Sequence, residues 1–265
     1  MSNLVVLSPE HHQQFAVETR YLPNLGYDHG SAMISPIEIP AAQRAYPLVF
    51  RKHQETGRFF LNALLGFAAD ENLYLDGKGN WLTDYVPLAV RKGPFLIAML
   101  DADADPQRHQ SQAPAKAVLS LDIDDPRVIR DHQTAHQAAH QADHQADAQP
   151  SKGQRLFDDS GVASPYLEEI NQILATMHET VNYTHQLAEA FVSLGLIEPL
   201  SLDILLSNGE QIKLDGAYTV AEEKLLALSG DALAQLNQQG FLSLAYYIAG
   251  SIDNVGWLVE RKNER

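Results

Sequence analysis

Leu202-Asp-Ile-Leu-Leu-Ser-Asn-Gly-Glu-Gln-Ile-Lys-Leu214 is the clearest local signal in the chain. Leu202, Ile204 and Leu206 alternate with other residues, and Ile212 and Leu214 return after Asn208-Gly209. Alternation at period two marks a strand with one buried face. Asn-Gly between two such runs predicts a hairpin closed by a type I′ turn. A third short strand, 216–220, extends it. What surrounds this hairpin decides the fold class.

Upstream lies a helical pattern. Pro165 opens a stretch in which Leu167, Ile170, Ile173, Leu174, Met177, Val181, Tyr183 and Leu187 recur at three-four spacing. One long amphipathic helix is expected, with Ser164 as N-cap and Gly195 just past its end. Downstream, Thr219-Val-Ala-Glu222 reads as a capping box before a helix, and a second helix runs to Gly240. A last helix carries Phe241, Leu244, Tyr247, Ile248, Ile252, Val255 and Leu258, followed by a charged tail that should fray. Gly250 and Gly256 within that helix fit close packing, whether inside the core or against a second copy.

The first half reads differently. Short apolar runs at 4–7, 33–39, 46–50, 95–100 and 117–123 are expected strands. The run 59–67 fits strand or helix, and its length and Phe-Phe start favour strand. Leu73-Tyr-Leu75, a Gly-rich turn and Trp81-Leu82 read as another hairpin. The expected class is α+β: a strand-rich N-terminal half and a helix-rich C-terminal half with an embedded β-hairpin. A single domain over 1–265 is expected.

One segment departs from this pattern. From about 130 to 149, His, Gln, Ala and Asp dominate, with no large apolar residue, so the run is an inserted low-complexity segment that packs on no core. His132, His136, His140 and His144 are spaced by four, and adjacent pairs such as His136 and His140 are weak candidates for a divalent metal. Each step of four drifts about 40° around a helix, so all four cannot converge. A weak, incidental affinity is the plainer reading, and no metal or other cofactor is expected.

Composition excludes several functions. The 265 residues carry a net charge of -15, which opposes phosphate backbones and anionic lipid. There is no cysteine, so disulfides, thiolate metal sites and a cysteine nucleophile are absent. No phosphate-binding glycine loop, zinc-protease helix or serine-hydrolase elbow occurs. Asp101-Ala-Asp103-Ala-Asp105 lacks the glycine and glutamate of a calcium loop, and reads as a solvated acidic loop. His178 and His185 lie two turns apart near Glu179 and Glu189, where a solvated helix face is the simpler account. The start, 1–15, has no secretory pattern and no apolar run is long enough to cross a bilayer, so a cytoplasmic location is expected.

The segment from Trp81 to Phe95 combines Trp81 and Tyr85 with Arg91 between prolines. Aromatics give contact area and an arginine grips a carboxylate through two bonds, so Trp81, Tyr85 and Arg91 are the candidate ligand-binding residues. Alternatively, the aromatics close the sheet and Arg91 pairs with a local acid such as Asp84.

Taken in order, Tyr46-Pro-Leu-Val-Phe50, Leu64-Leu-Gly-Phe67 with Glu71-Asn-Leu-Tyr74, Trp81 to Phe95, Leu121-Asp-Ile-Asp124, Gly153-Gln-Arg-Leu-Phe157-Asp-Asp, Leu214-Asp-Gly-Ala-Tyr218 and Gly240-Phe-Leu resemble the SapC family of bacterial proteins. Two departures are Arg91-Lys92-Gly93, where the family often has two arginines and an aromatic, and the His-rich run, where a short loop is usual. The resemblance implies surroundings rather than chemistry. Such proteins are associated with a surface-layer locus and with TonB-dependent receptors, flavin-dependent halogenases and cupin-like proteins. A non-enzymatic accessory or binding protein with an envelope, uptake or halogenase partner is therefore expected. The alternative is a modifying or hydrolytic enzyme acting on a peptide or small molecule around Trp81–Phe95.

Overall fold

The computed structural model describes residues 3–100, 116–131 and 153–265. Its strands, in chain order, are β1 (Leu4–Val6), β2 (Ala16–Val17), β3 (Ser31–Met33), β4 (Leu48–Lys52), β5 (Phe59–Leu64), β6 (Phe95–Leu100), β7 (Lys116–Asp122), β8 (Val128–Ile129), β9 (Gln154–Arg155), β10 (Ile197–Leu205) and β11 (Gln211–Val220). Among the described residues they form three sheets, ordered β1-β7-β6, β8-β2-β9 and β10-β11-β4-β5-β3, and the paired strands are antiparallel. Helices concentrate in the C-terminal half, so the class is α+β. The His-rich positions from His132 onward and Asp101 to Asp105 lie outside the described residues.

The chain divides into two compact units. The larger, Tyr21–Val90 with Met177–Arg265, holds the five-stranded sheet. Phe50 of β4 meets Phe191 of the Val181–Ser193 helix edge-on, and Phe191 meets Phe241 of the Phe241–Gly250 helix in the same way. All three rings are buried, each worth about 2–3 kcal/mol in removed apolar surface. The smaller unit is Met1–Arg20 with Arg91–Thr176. In it Phe95 and Leu121, paired across β6 and β7, are buried, and Tyr166 packs on Phe95 at 6.1 Å.

Several elements differ from the sequence reading, each for a visible reason. The run 33–39 is not a strand: β3 stops at Met33, then a 3-10 turn spans Pro36–Glu38 and a short helix Ile39–Ala42. Pro36 and Pro40 have no N–H for a ladder, and Ser35 and Glu38 form a capping box instead. The Asn208-Gly209 turn is a three-residue loop rather than type I′, with Leu206 N–H bonded to the Glu210 carbonyl and Gly209 at φ 87°. Residues 216–220 continue β11 and make no third strand. Thr219 lies within β11, so it caps nothing, and the Glu222–Leu226 helix starts from Ala221 without a side-chain cap.

The long helix is two, Pro165–Glu179 and Val181–Ser193, separated at Thr180. Its predicted ends hold: Ser164 Oγ accepts from Leu167 N–H at 3.2 Å, and Gly195 has φ 66°. The last helix is also broken, by a 3-10 turn at Ser251–Asn254. There Ser251 Oγ accepts from Leu48 N–H of β4 at 2.9 Å and donates to the Ile248 carbonyl at 2.7 Å. A side chain at Gly250 or Gly256 would meet nothing within 4 Å, so neither serves close packing among the described residues of this chain. The charged tail is tied down: Lys262 pairs with Glu71 at 2.6 Å, and Arg265 donates to the carbonyls of Asn72 and Leu75.

Candidate functional site

From Trp81 the chain has no regular structure until the short helix Leu88–Arg91, so side chains must satisfy its polar groups. The preceding turn shows how. Leu75 and Trp81 form a single β-bridge rather than a two-stranded hairpin. Asp76 Oδ1 accepts from Lys78 and Asn80 N–H at 2.7 and 2.9 Å. Gly77 and Gly79 take φ of 74° and 99°, which L side chains rarely adopt.

Tyr46 is the hub beneath this segment. Its ring is fully buried. Its hydroxyl receives Trp81 Nε1–H at 2.7 Å, lies 2.7 Å from Thr83 Oγ1, and donates to the Tyr85 carbonyl. Aromatic rings surround it. Trp81 stacks on Tyr74, Tyr74 stacks on Trp257 at 4.4 Å, and Tyr21 meets Trp81 edge-on. Tyr74 donates to the Ala45 carbonyl at 2.7 Å. Burial pushes the Tyr46 phenol up to about 12, and burial raises the Tyr74 phenol as well. Both are neutral hydrogen-bonding groups over the ordinary pH range.

The second anchor is Glu38, which is 4% exposed. Its Oε1 accepts from Tyr85 OH at 2.9 Å and Leu88 N–H at 2.8 Å. Its Oε2 accepts from Ser35 N–H and Ser35 Oγ, both at 2.9 Å. All four donors are neutral. This one carboxyl group therefore fixes the entry to the 36–42 turns and the end of the Trp81 segment together.

Arg91 and Lys92 belong to the smaller unit. Arg91 pairs with Glu169 of the Pro165–Glu179 helix rather than with Asp84, its own side chain partly covered and that of Glu169 about half exposed. The Lys92 amine is half-buried and donates to the Phe95 carbonyl at 3.3 Å. Burial lowers its pKa, Arg127 lowers it further, and Asp125 opposes both. Arg127 itself grips Asp125 through two bonds of 2.8 and 2.6 Å. Arg20 grips Glu18 in the same way.

The structure thus joins Trp81 and Tyr85 in one network and gives Arg91 a partner of its own. Glu38, Tyr46, Thr83 and Lys92 are the residues that sequence reasoning passed over. A signal existed for one: Ser35-Pro-Ile-Glu38 is a capping-box pattern inside a run taken for a strand. His178 is exposed, and it and His185 sit on separate helices. His136 and His140 lie outside the described residues. Among the described residues, no group of three or more His, Asp or Glu side chains is placed to hold a metal ion. No described helix is long and apolar enough to cross a membrane.

The chain is thus an α+β protein whose most unusual segment is bonded into its own core. It belongs to the SapC family, whose model matches residues 7–258. No curated protein and no solved structure matches it.

Proposed function

We propose that this SapC family member is an accessory or binding protein, acting with a surface-layer or TonB-dependent uptake system and catalysing no reaction itself. The observation carrying this reading is the use of the Trp81 and Tyr85 polar groups. The Trp81 N–H bonds to Tyr46 and the Tyr85 hydroxyl to Glu38, so both groups already have partners within the fold. Affinity purification of the tagged protein from its native host is the test. An envelope protein, a TonB-dependent receptor, a halogenase or a cupin-like protein should be enriched. Recovery of none of these contradicts the reading.

A second reading, an enzyme with a site around Trp81–Phe95, is favoured by one observation. Burial and the Arg127 charge both lower the Lys92 pKa, with Asp125 opposing them, and a lowered lysine pKa favours the nucleophilic amine. Competitive labelling with trinitrobenzenesulfonate at pH 8 addresses it. Lys92 should react ahead of the exposed lysines. Slower labelling than theirs removes the support.

A further inference from the structure

One cleft in the larger unit has a chemistry that neither the family nor the accessory reading supplies. It has a volume of about 390 Å³ and lies where the start of β3 meets the loop after β5. That volume falls within the range of small-molecule sites. His29, Ser31 and Arg51 line it with polar groups, and Phe67, Ala69 and Leu214 with apolar ones.

The walls are built, not incidental. A Cβ on Gly30 would stand 1.9 Å from the Ala68 carbonyl oxygen, and one on Gly66 2.3 Å from that of Glu71. Only glycine at both positions lets the loop press against the strand. The Gly30 N–H then bonds to the Ala69 carbonyl at 2.9 Å, and the Leu65 and Gly66 N–H groups bond to the Gly30 carbonyl. Phe67 N–H bonds to Glu71 Oε2 at 3.0 Å, while Lys262 holds Oε1 of the same carboxylate. Burial opposes ionisation of Glu71, but the Lys262 and Phe67 bonds outweigh it and hold its pKa below the usual value.

The charge at this cleft runs against that of the protein. Arg51 Nη1 donates to the Asp215 carbonyl at 3.2 Å, and no described carboxylate lies within ion-pair distance of it. The nearby Asp215 carboxylate is engaged by Lys213 at 3.3 Å and Ser201 at 3.0 Å. Most of the guanidinium's donors therefore have no acceptor among the described residues, beside an exposed His29, in a chain of net charge -15. A planar fork of donors matches a carboxylate. Phe67 and Leu214 suit a short apolar body attached to it.

We propose that the cleft between β3, β4 and the 66–71 loop binds a small organic carboxylate, its charged end on Arg51 and its apolar body against Phe67. This stands apart from the accessory reading, since partner recovery and cleft occupancy are measured separately. Phenylacetate is the probe, with neutral 2-phenylethanol and inorganic phosphate as comparisons, followed by calorimetry and by NMR of the whole protein. Phenylacetate should bind at one site, shift resonances of His29, Ser31 and Phe67, and bind about tenfold tighter than 2-phenylethanol. Phosphate should bind more weakly than phenylacetate. Arg51→Gln should weaken phenylacetate about tenfold, and Arg51→Lys by less. Equal binding of acid and alcohol, tighter binding of phosphate, or full affinity in Arg51→Gln overturns the proposal. So does the absence of any shift in the wild-type protein at ~20 mM probe, far above the roughly millimolar affinity expected of so small a ligand. That last measurement needs no variant to fold.

Discussion

The larger unit holds two polar regions that folding leaves in opposite states. Around Glu38 and Tyr46, one carboxyl group accepts four bonds and one hydroxyl engages three neighbours, all within the unit. At the cleft, Arg51 spends one bond on a carbonyl and keeps the rest of its donors. Unsatisfied buried groups cost free energy, so a network closed on itself signals stability. Donors left over at a cleft mouth are hydrated until something better arrives. Substitutions in the first region should therefore act on folding, and those in the second on binding.

The largest effect should come from Glu38→Ala, which strands the Tyr85 hydroxyl, the Leu88 N–H and both Ser35 donors. A loss of about 3–4 kcal/mol is expected, read as a lower urea midpoint at unchanged slope. A loss under about 1 kcal/mol would mean that water satisfies these donors and the network is not closed.

Gly66→Ala comes next, because the new methyl group would meet the Glu71 carbonyl at 2.3 Å. Moving a backbone segment to admit it should cost about 2–3 kcal/mol, and should also reshape the cleft wall. This variant sharpens the comparison, since it should lose phenylacetate binding as well as stability.

Tyr46→Phe removes the acceptor of the Trp81 N–H and should cost about 1–2 kcal/mol. It also predicts a pH dependence. Burial raises the folded phenol from 10.0 to about 12, so the neutral form is favoured in the fold. The stability this contributes is fully present below pH 10 and is lost as the pH rises toward 12. Alkaline denaturation of the wild type should begin in that window, and Tyr46→Phe should flatten it in part, because Tyr74 remains. The smallest effect belongs to Arg51→Gln, whose stability should stay within about 0.5 kcal/mol while binding falls. A thermal melt beside the titration separates the two.

How much of this was legible in the sequence depends on range. The strands β4, β6 and β7 and the β10–β11 pair show as aliphatic runs, and the helix ends at Ser164 and Gly195 carry their usual residues. The breaks at Thr180 and Ser251–Asn254 do not show. Neither contains Gly or Pro, and Ser251 acts through a bond to Leu48, 203 positions away. The segment around Trp81 stood out as unusual, but its meaning did not. Its partners Tyr46 and Glu38 lie 35 and 47 positions from the groups they bind, and only the fold brings them together. Arg51 gave no signal at all, because an arginine without a counterion among the described residues looks like any other until its neighbours are placed.

The contrast between the two regions is tested most directly by an NMR titration of the wild-type protein with phenylacetate, following the Arg51 Nε–H and the Trp81 indole N–H together. The Arg51 signal should move and saturate, while the Trp81 indole, closed onto Tyr46, should stay in place. Movement of the Trp81 indole with a silent Arg51 would contradict the account and return the binding role to the Trp81 segment.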